Sequence, residues 1–123
     1  MITALPAPVF VLERETGRMT LLSTVEELAN FAEEFWDILA DDFTLWDSEG
    51  FPLAVGPEIL ERNLGGLKRR GPCEISEVKR RLLAAAGHPT APDAESLPAL
   101  YAHLSETAAG GDGWLAPSTP STP

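Results

Sequence analysis

Apolar residues recur at helical spacing between Thr24 and Asp42, the most strongly patterned stretch of the chain. Positions i, i+3, i+4 and i+7 share one side of an α-helix, so this spacing predicts a helix over residues 24–40 with a broad buried face. The Thr24 hydroxyl is suited to cap the first turn, and Glu27, three residues on, completes a capping box. The residues expected on the buried face are Val25, Leu28, Ala29, Phe31, Ala32, Phe35, Trp36, Ile38 and Leu39.

Two β-hairpins are predicted, one on each side of this helix in the sequence. Residues 9–22 contain two runs rich in β-formers, separated by a polar turn that ends at Gly17. Residues 43–55 repeat the arrangement around a turn that ends at Gly50. Glycine adopts the positive φ that such turns require, so both segments fit the hairpin pattern.

Weaker helical patterns follow the second hairpin and predict shorter helices over residues 57–64, 76–86 and 96–108. The predicted fold is α+β: an antiparallel sheet built from two β-hairpins is packed against one long amphipathic helix. The shorter C-terminal helices are expected to pack at an end or edge of this sheet.

A chain of 123 residues suits a single domain. Residues 1–7 are short, apolar and broken by proline, and they predict an N-terminal arm; residues 8–109 are expected to form the domain. Residues 110–123 are rich in Ser, Thr and Pro and predict a disordered tail. The apolar pair Trp114 and Leu115 is the exception in that tail. It is suited to fold back onto the domain, which burial of an indole favours, or to serve as a short docking element.

Charge divides the chain into three parts and gives it a formal net charge of −10. Residues 1–60 hold 12 acids and 2 basic residues, residues 61–81 hold 3 acids and 7 basic residues, and residues 82–123 hold 4 acids and none. A field of this overall sign favours a cationic partner. The excess of Arg over Lys, with abundant Ala, Pro and Gly, is typical of a GC-rich genome and favours a bacterial or phage origin.

The polar face of helix 24–40 is acidic throughout, because neither Lys nor Arg occurs between Arg18 and Arg62. One interpretation is a solvated face that maintains solubility. The other is an anionic surface that docks a basic protein partner, as expected of an inhibitor, an immunity-like protein or an anti-defence factor. The predicted partner-binding residues are Glu26, Glu33, Glu34, Asp37 and Asp41, with Asp47 and Glu49 in the neighbouring turn.

The basic segment 62–81 supports an alternative function, a nucleic-acid-associated regulator, because phosphate contacts need clustered cations. The negative net charge argues against it, and the same cations are equally suited to neutralise the acidic helix from within the fold. The candidate nucleic-acid-binding residues are Arg62, Lys68, Arg69, Arg70, Lys79, Arg80 and Arg81.

A small enzyme centred on Cys73 or His103 is the second alternative, although neither residue lies in a recognisable catalytic motif. We therefore assign no catalytic residues and expect no cofactor and no metal site. The single cysteine, the lack of a signal-peptide pattern and the lack of a long apolar run predict a cytoplasmic protein that does not enter a membrane. The sequence leaves the oligomeric state open.

Overall fold

The computed structural model describes residues 4–87, 94–107 and 115, and it confirms the α+β fold with an antiparallel sheet. The first hairpin consists of β1 (Ala4–Glu13) and β2 (Met19–Thr24), and the second of β3 (Phe43–Asp47) and β4 (Pro52–Val55). The two turns have glycine at positive φ, 77° at Gly17 and 93° at Gly50, as the turn chemistry predicts.

A fifth strand, β5 (Leu67–Arg69), completes a sheet with the order β2-β1-β3-β4-β5. It lies within the basic segment 62–81, for which the sequence predicts no strand, and it pairs antiparallel with β4 from Leu53↔Arg69 to Val55↔Leu67. Only three residues long and largely charged, β5 has the character of a protected edge strand. Its pairing depends on β4, which is distant in sequence, and local periodicity does not report such contacts.

The sheet is covered on both faces. On one face α1 (Val25–Phe35), α2 (Leu39–Asp42) and a 3-10 helix (Pro57–Glu61) pack in a cluster with the odd-numbered residues Val9 and Val11 of β1. On the other face α3 (Ile75–Ala86) and α4 (Leu97–Thr107) pack with Phe10 and Leu12. The prediction that the C-terminal helices pack at an end or edge of the sheet is therefore wrong, because they form a second complete layer.

Helix 24–40 begins as predicted but does not continue as one α-helix. Thr24 Oγ1 accepts from the Glu27 amide and Glu27 Oε1 accepts from the Thr24 amide, both at 3.1 Å, which is the capping box. After Phe35 the chain passes through a 3-10 segment, Trp36–Ile38, before α2. Phe35 packs against Phe31 and against Phe43 of β3, and this tertiary contact favours a bend that the periodicity alone does not predict.

The remaining predicted helices agree with the structure to different degrees. The predicted helix over residues 57–64 is instead a 3-10 helix that ends at Arg62, whose φ of 62° lies in the left-handed region. The predicted helices 76–86 and 96–108 correspond to α3 and α4. At the start of α4, Ser96 Oγ accepts a hydrogen bond from the Ala99 amide at 3.2 Å, as expected of an N-cap.

Both terminal regions contribute backbone pairing to the sheet. β1 begins at Ala4, inside the residues predicted as an arm, and Ala4 pairs with Thr24. Leu115 is buried and exchanges two hydrogen bonds, of 2.7 and 2.8 Å, with Met19 at the β2 edge, as expected for a tail residue that folds back. Its predicted companion Trp114 lies outside the described residues. No helix in the described part of the chain is long and apolar enough to cross a membrane.

Candidate protein-binding surface

The apolar face of α1 fixes the direction in which its acids point. Val25, Leu28, Ala29 and Ala32 are almost fully buried against the sheet. Residues on the opposite side of an α-helix then face solvent, and Glu33 and Glu34 are exposed. The position of these carboxylates therefore follows from the packing of the helix.

The 3-10 segment after α1 turns two large apolar side chains outward. Trp36 is 38% exposed and Ile38 is 41% exposed, although the helical spacing predicts both on the buried face. The backbone leaves helical geometry at Phe35, just before this segment (φ −112°, ψ 19°), and at Ile38, its last residue (φ −118°, ψ 2°). The prediction that Trp36 and Ile38 are core residues is therefore wrong, because the bend changes the side of the chain that faces the sheet.

Four exposed carboxylates surround these apolar residues along the chain, and we call the six residues together the acidic surface. Its members are Glu33, Glu34, Trp36, Asp37, Ile38 and Asp41. Among the described residues, none of its carboxylates forms an ion pair with Lys or Arg. Glu26, which the sequence groups with them, is partly buried. The acidic surface thus combines anionic charge with exposed apolar area.

Asp47 and Glu49 occupy a separate cluster in the β3–β4 turn, where they bind Arg69 of β5. Arg69 Nε donates to Asp47 Oδ2 at 2.9 Å and its Nη2 donates to Glu49 Oε2 at 2.8 Å. The hydrogen bond to Asp47, followed by that to Glu49, raises the pKa of the Arg69 guanidinium. The guanidinium also lies 3.8 Å from the centre of the Phe51 ring. These two predicted partner-binding acids therefore have a basic partner within the fold.

Asp47 also holds its own turn together. Its carboxylate accepts from the amides of Glu49 and Phe51, at 2.9 and 3.0 Å, and the residue is only 8% exposed. A buried carboxylate with three donors is satisfied within the structure. Its geometry is that of a structural residue.

Some cations of the basic segment 62–81 form ion pairs within the fold, and others are exposed. Arg80 and Arg81 of α3 both bind Glu77, at 2.6 and 2.8 Å. The hydrogen bond from Arg80, followed by that from Arg81, lowers the pKa of Glu77. The exposed cations are distributed over separate elements: Arg62 after the 3-10 helix 57–61, Lys68 in β5, Arg70 after β5, and Lys79 in α3. Among the described residues no ion pair connects this segment to the acidic surface.

The two residues of the enzyme alternative are both exposed. The Cys73 thiol donates to the backbone oxygen of Glu49 at 3.2 Å, and His103 lies on the outer side of α4. The hydrogen bonds of the described residues connect neither side chain to an acidic or basic side chain. Within the same residues, no group of three or more His, Cys, Asp and Glu side chains is placed to hold a metal ion.

Comparison of this chain with protein-family models, with curated proteins and with solved structures finds no match. A function is therefore argued from the chemistry of the surface itself. The contribution that sequence reasoning misses is the pair Trp36 and Ile38. The width of the apolar stripe could have indicated their exposure. Nine apolar positions between Val25 and Leu39 exceed what one face of a surface helix usually buries.

Proposed function

We propose that this protein is a small protein-binding module that docks onto a basic partner through its acidic surface. The observation that carries the proposal is the coincidence of four exposed carboxylates with exposed Trp36 and Ile38. Occupation of a cationic site on the partner would block that site, which is the action of an inhibitor, an immunity-like protein or an anti-defence factor.

The two kinds of side chain support different aspects of binding. Carboxylates on a chain of net charge −10 attract a cationic partner and raise the association rate, an effect that falls with ionic strength. Tryptophan is among the residues that contribute most to binding energy when a partner buries it. Trp36 is therefore the proposed anchor, and Glu33, Glu34 and Asp37 provide steering and orientation.

The placement of the cations favours this function over an internal role for the acids. Arg69 is engaged by Asp47 and Glu49, and Arg80 and Arg81 are engaged by Glu77. The acids of the β3–β4 turn are already compensated, so they add little to the attraction of a partner. We therefore centre the proposed interface on the acidic surface and leave Asp47 and Glu49 outside it.

The test is affinity capture from a lysate of the native host, followed by mass spectrometry. The variant Glu33→Lys/Glu34→Lys/Asp37→Lys is expected to lose the captured partner, and Trp36→Ala is expected to weaken its capture. The matched control is Glu15→Lys/Glu95→Lys/Glu106→Lys, which changes the net charge equally at exposed positions elsewhere. Unchanged capture by the first variant, or equal loss with the control, would overturn the proposal.

The nucleic-acid alternative has support in Lys68 and Arg70, which are exposed at the β5 edge of the sheet. It has less support than protein binding because three of the seven cations of the segment already bind acids. A gel-shift assay with random duplex at low salt separates the two functions. Retardation by wild-type protein that disappears in Lys68→Gln/Arg70→Gln would favour nucleic-acid binding, and no retardation at micromolar protein would exclude it.

A further inference from the structure

Strand β3 is paired unequally on its two sides. It pairs with β1 from Val9↔Asp47 to Glu13↔Phe43, along its whole length. Its pairing with β4 includes only Leu45↔Leu53 and Trp46↔Pro52. The same register would next bring Thr44 opposite Ala54 and then Phe43 opposite Val55, but the ladder stops before these pairs. The sheet therefore opens between β3 and β4 at this end.

The ends of β3 and β4 separate because each is hydrogen-bonded to a different part of the structure. The Phe43 amide donates to Leu39 O at the end of α2, and the Phe43 ring lies 5.0 Å from the Phe31 ring centre. At the end of β4, the Gly56 amide donates to Gly66 O at 2.7 Å. One strand end is held by the helical layer and the other by the edge of the sheet, so the two separate.

A groove of about 470 Å³ occupies this opening. That volume lies within the range of about 300–1,000 Å³ that is usual for small-molecule sites. Seven of its ten lining residues have apolar side chains, and the polar side chains are those of one threonine and two arginines. The lining residues with large apolar side chains are Trp36, Leu39, Phe43, Leu45, Leu53 and Val55.

The charge in this groove is opposite to that of the whole protein. Arg14 and Arg70 line it, and no carboxylate side chain does so among the described lining residues. Arg70 is exposed, and the ion pairs of the described residues do not include it. In a chain of net charge −10, the exposed Arg70 guanidinium at a groove whose described lining includes no carboxylate is a local site for an anion.

A second groove, of about 400 Å³, adjoins the first and shares Arg14, Thr44 and Arg70 with it. It contains two carboxylates, and both have partners of their own. Glu74 accepts from the Trp46 indole at 2.9 Å, and Glu77 binds Arg80 and Arg81. The acids next to the arginine pair are therefore already engaged and compete little for Arg70.

We propose that the groove between β3 and β4 binds a small amphipathic carboxylate, an aliphatic chain with one anionic head. The aliphatic part lies between Trp36, Leu53 and Val55, and the carboxylate points to Arg70. An arginine fork matches the two oxygens of a carboxylate and forms strong charge-assisted hydrogen bonds with them. The apolar wall selects a ligand with a hydrophobic body over a free inorganic anion.

The experiment is isothermal titration calorimetry of the full chain with decanoate, below the concentration at which it forms micelles. Wild-type protein is expected to bind decanoate saturably at one site. Decan-1-ol, which has the same chain without the charge, and hexanoate, which has the same head with less apolar surface, are both expected to bind more weakly. Arg70→Gln is expected to weaken decanoate binding at least about tenfold, as for the loss of a charge-assisted contact.

Lys68→Gln provides the matched control, because Lys68 is an exposed cation on β5 that does not line the groove. It removes the same charge and is expected to leave decanoate binding unchanged. Absence of saturable binding to wild-type protein, unchanged binding in Arg70→Gln, or equal weakening in both variants would overturn the proposal. Trp36 belongs to both the acidic surface and the groove lining. The variants Glu33→Lys/Glu34→Lys/Asp37→Lys and Arg70→Gln each change one site only, so they distinguish failure of one proposal from failure of the other.

Discussion

The two helical layers of this protein cover opposite faces of one sheet, and they differ in whether their surface acids form ion pairs. On α3, Glu77 binds both Arg80 and Arg81. On α1 and the segment after it, Glu33, Glu34, Asp37 and Asp41 are exposed and form no such pairs among the described residues. The apolar sides are alike, since Leu28 and Leu82 are both fully buried.

The free energies of apolar burial and of exposed ion pairs show which of the two determines the packing of the layers. A buried leucine contributes about 2–5 kcal/mol to stability, as judged by its replacement with alanine, whereas an exposed ion pair contributes about 0–1 kcal/mol. The apolar stripes therefore determine where each layer packs, and the charges on the outer side have little influence on the fold. The acidic surface is free to serve an interaction because the fold does not depend on its composition.

The largest expected effect tests whether the two layers form one cooperative unit. Leu28→Ala and Leu82→Ala remove equivalent atoms from the two layers, and each is expected to lower the free energy of unfolding by about 2–5 kcal/mol. Because both layers share β1, each variant should unfold in a single transition. Urea titrations followed by circular dichroism and tryptophan fluorescence measure this, and non-coincident transitions would show that the layers unfold separately.

A smaller effect is expected at Gly50, on which the C-terminal layer depends. Gly50 has a φ of 93°, and a Cβ there would lie 2.8 Å from the Cα of Ile75, the first residue of α3. Gly50→Ala is therefore expected to cost at least about 2 kcal/mol of unfolding free energy, from backbone strain and displacement of α3. Thermal denaturation provides the measurement.

Gly71→Ala is the control for this substitution. A Cβ at Gly71 meets only Pro52 Cγ at 3.4 Å, an ordinary contact, and the residue is exposed. Its effect is expected to stay within about 0.5 kcal/mol. If the two variants were equally stable, α3 would not depend on the close approach at Gly50.

The smallest expected effect is the pH dependence of stability, which differs between Glu77 of α3 and Glu33 of α1. Hydrogen bonds from Arg80 and Arg81 lower the pKa of Glu77. A carboxylate with a lowered folded-state pKa contributes stability above its unfolded-state pKa, and this contribution is lost as pH falls through the folded-state value. Because the Glu77 side chain is 37% exposed, solvent screening limits the contribution to below about 1 kcal/mol.

Glu77→Gln is therefore expected to be slightly less stable than wild type at neutral pH, with the difference vanishing under acidic conditions. Glu33→Gln, the matched change in α1, is expected to cause no loss of stability at neutral pH. Chemical denaturation across pH 2–7 would measure both variants. A constant penalty for Glu77→Gln at every pH would argue that the ion pairs with Arg80 and Arg81 are not its source.

The sequence predicts those parts of the fold that depend on local chemistry. The turn glycines Gly17 and Gly50, the capping box at Thr24 and the extent of α3 all follow from side chains within a few residues of one another. The bend after Phe35 does not, because it depends on contact with Phe43. The second helical layer had a signal in the unbroken apolar run at residues 9–12, which is typical of a strand buried on both faces.

The candidate site, like the fold, was predictable from the sequence only where it depends on local spacing. Helical spacing correctly places Glu33 and Glu34 on the exposed side of α1. The separation of Asp47 and Glu49 from that surface depends on Arg69, which becomes their neighbour only when β5 joins the sheet. The groove between β3 and β4 arises from the way the strand ends are held, and sequence spacing contains no measure of this.

The burial of β1 on both faces of the sheet has a consequence for folding kinetics. Val9, Phe10, Val11 and Leu12 are nearly inaccessible in the native state, yet the segments that cover Phe10 include α4 and Leu115, far along the chain. Until those distant contacts form, this four-residue apolar stretch of β1 remains available to other chains. Slow folding at high protein concentration should therefore favour aggregation through β1, and the acidic character of the chain, by mutual repulsion, opposes it.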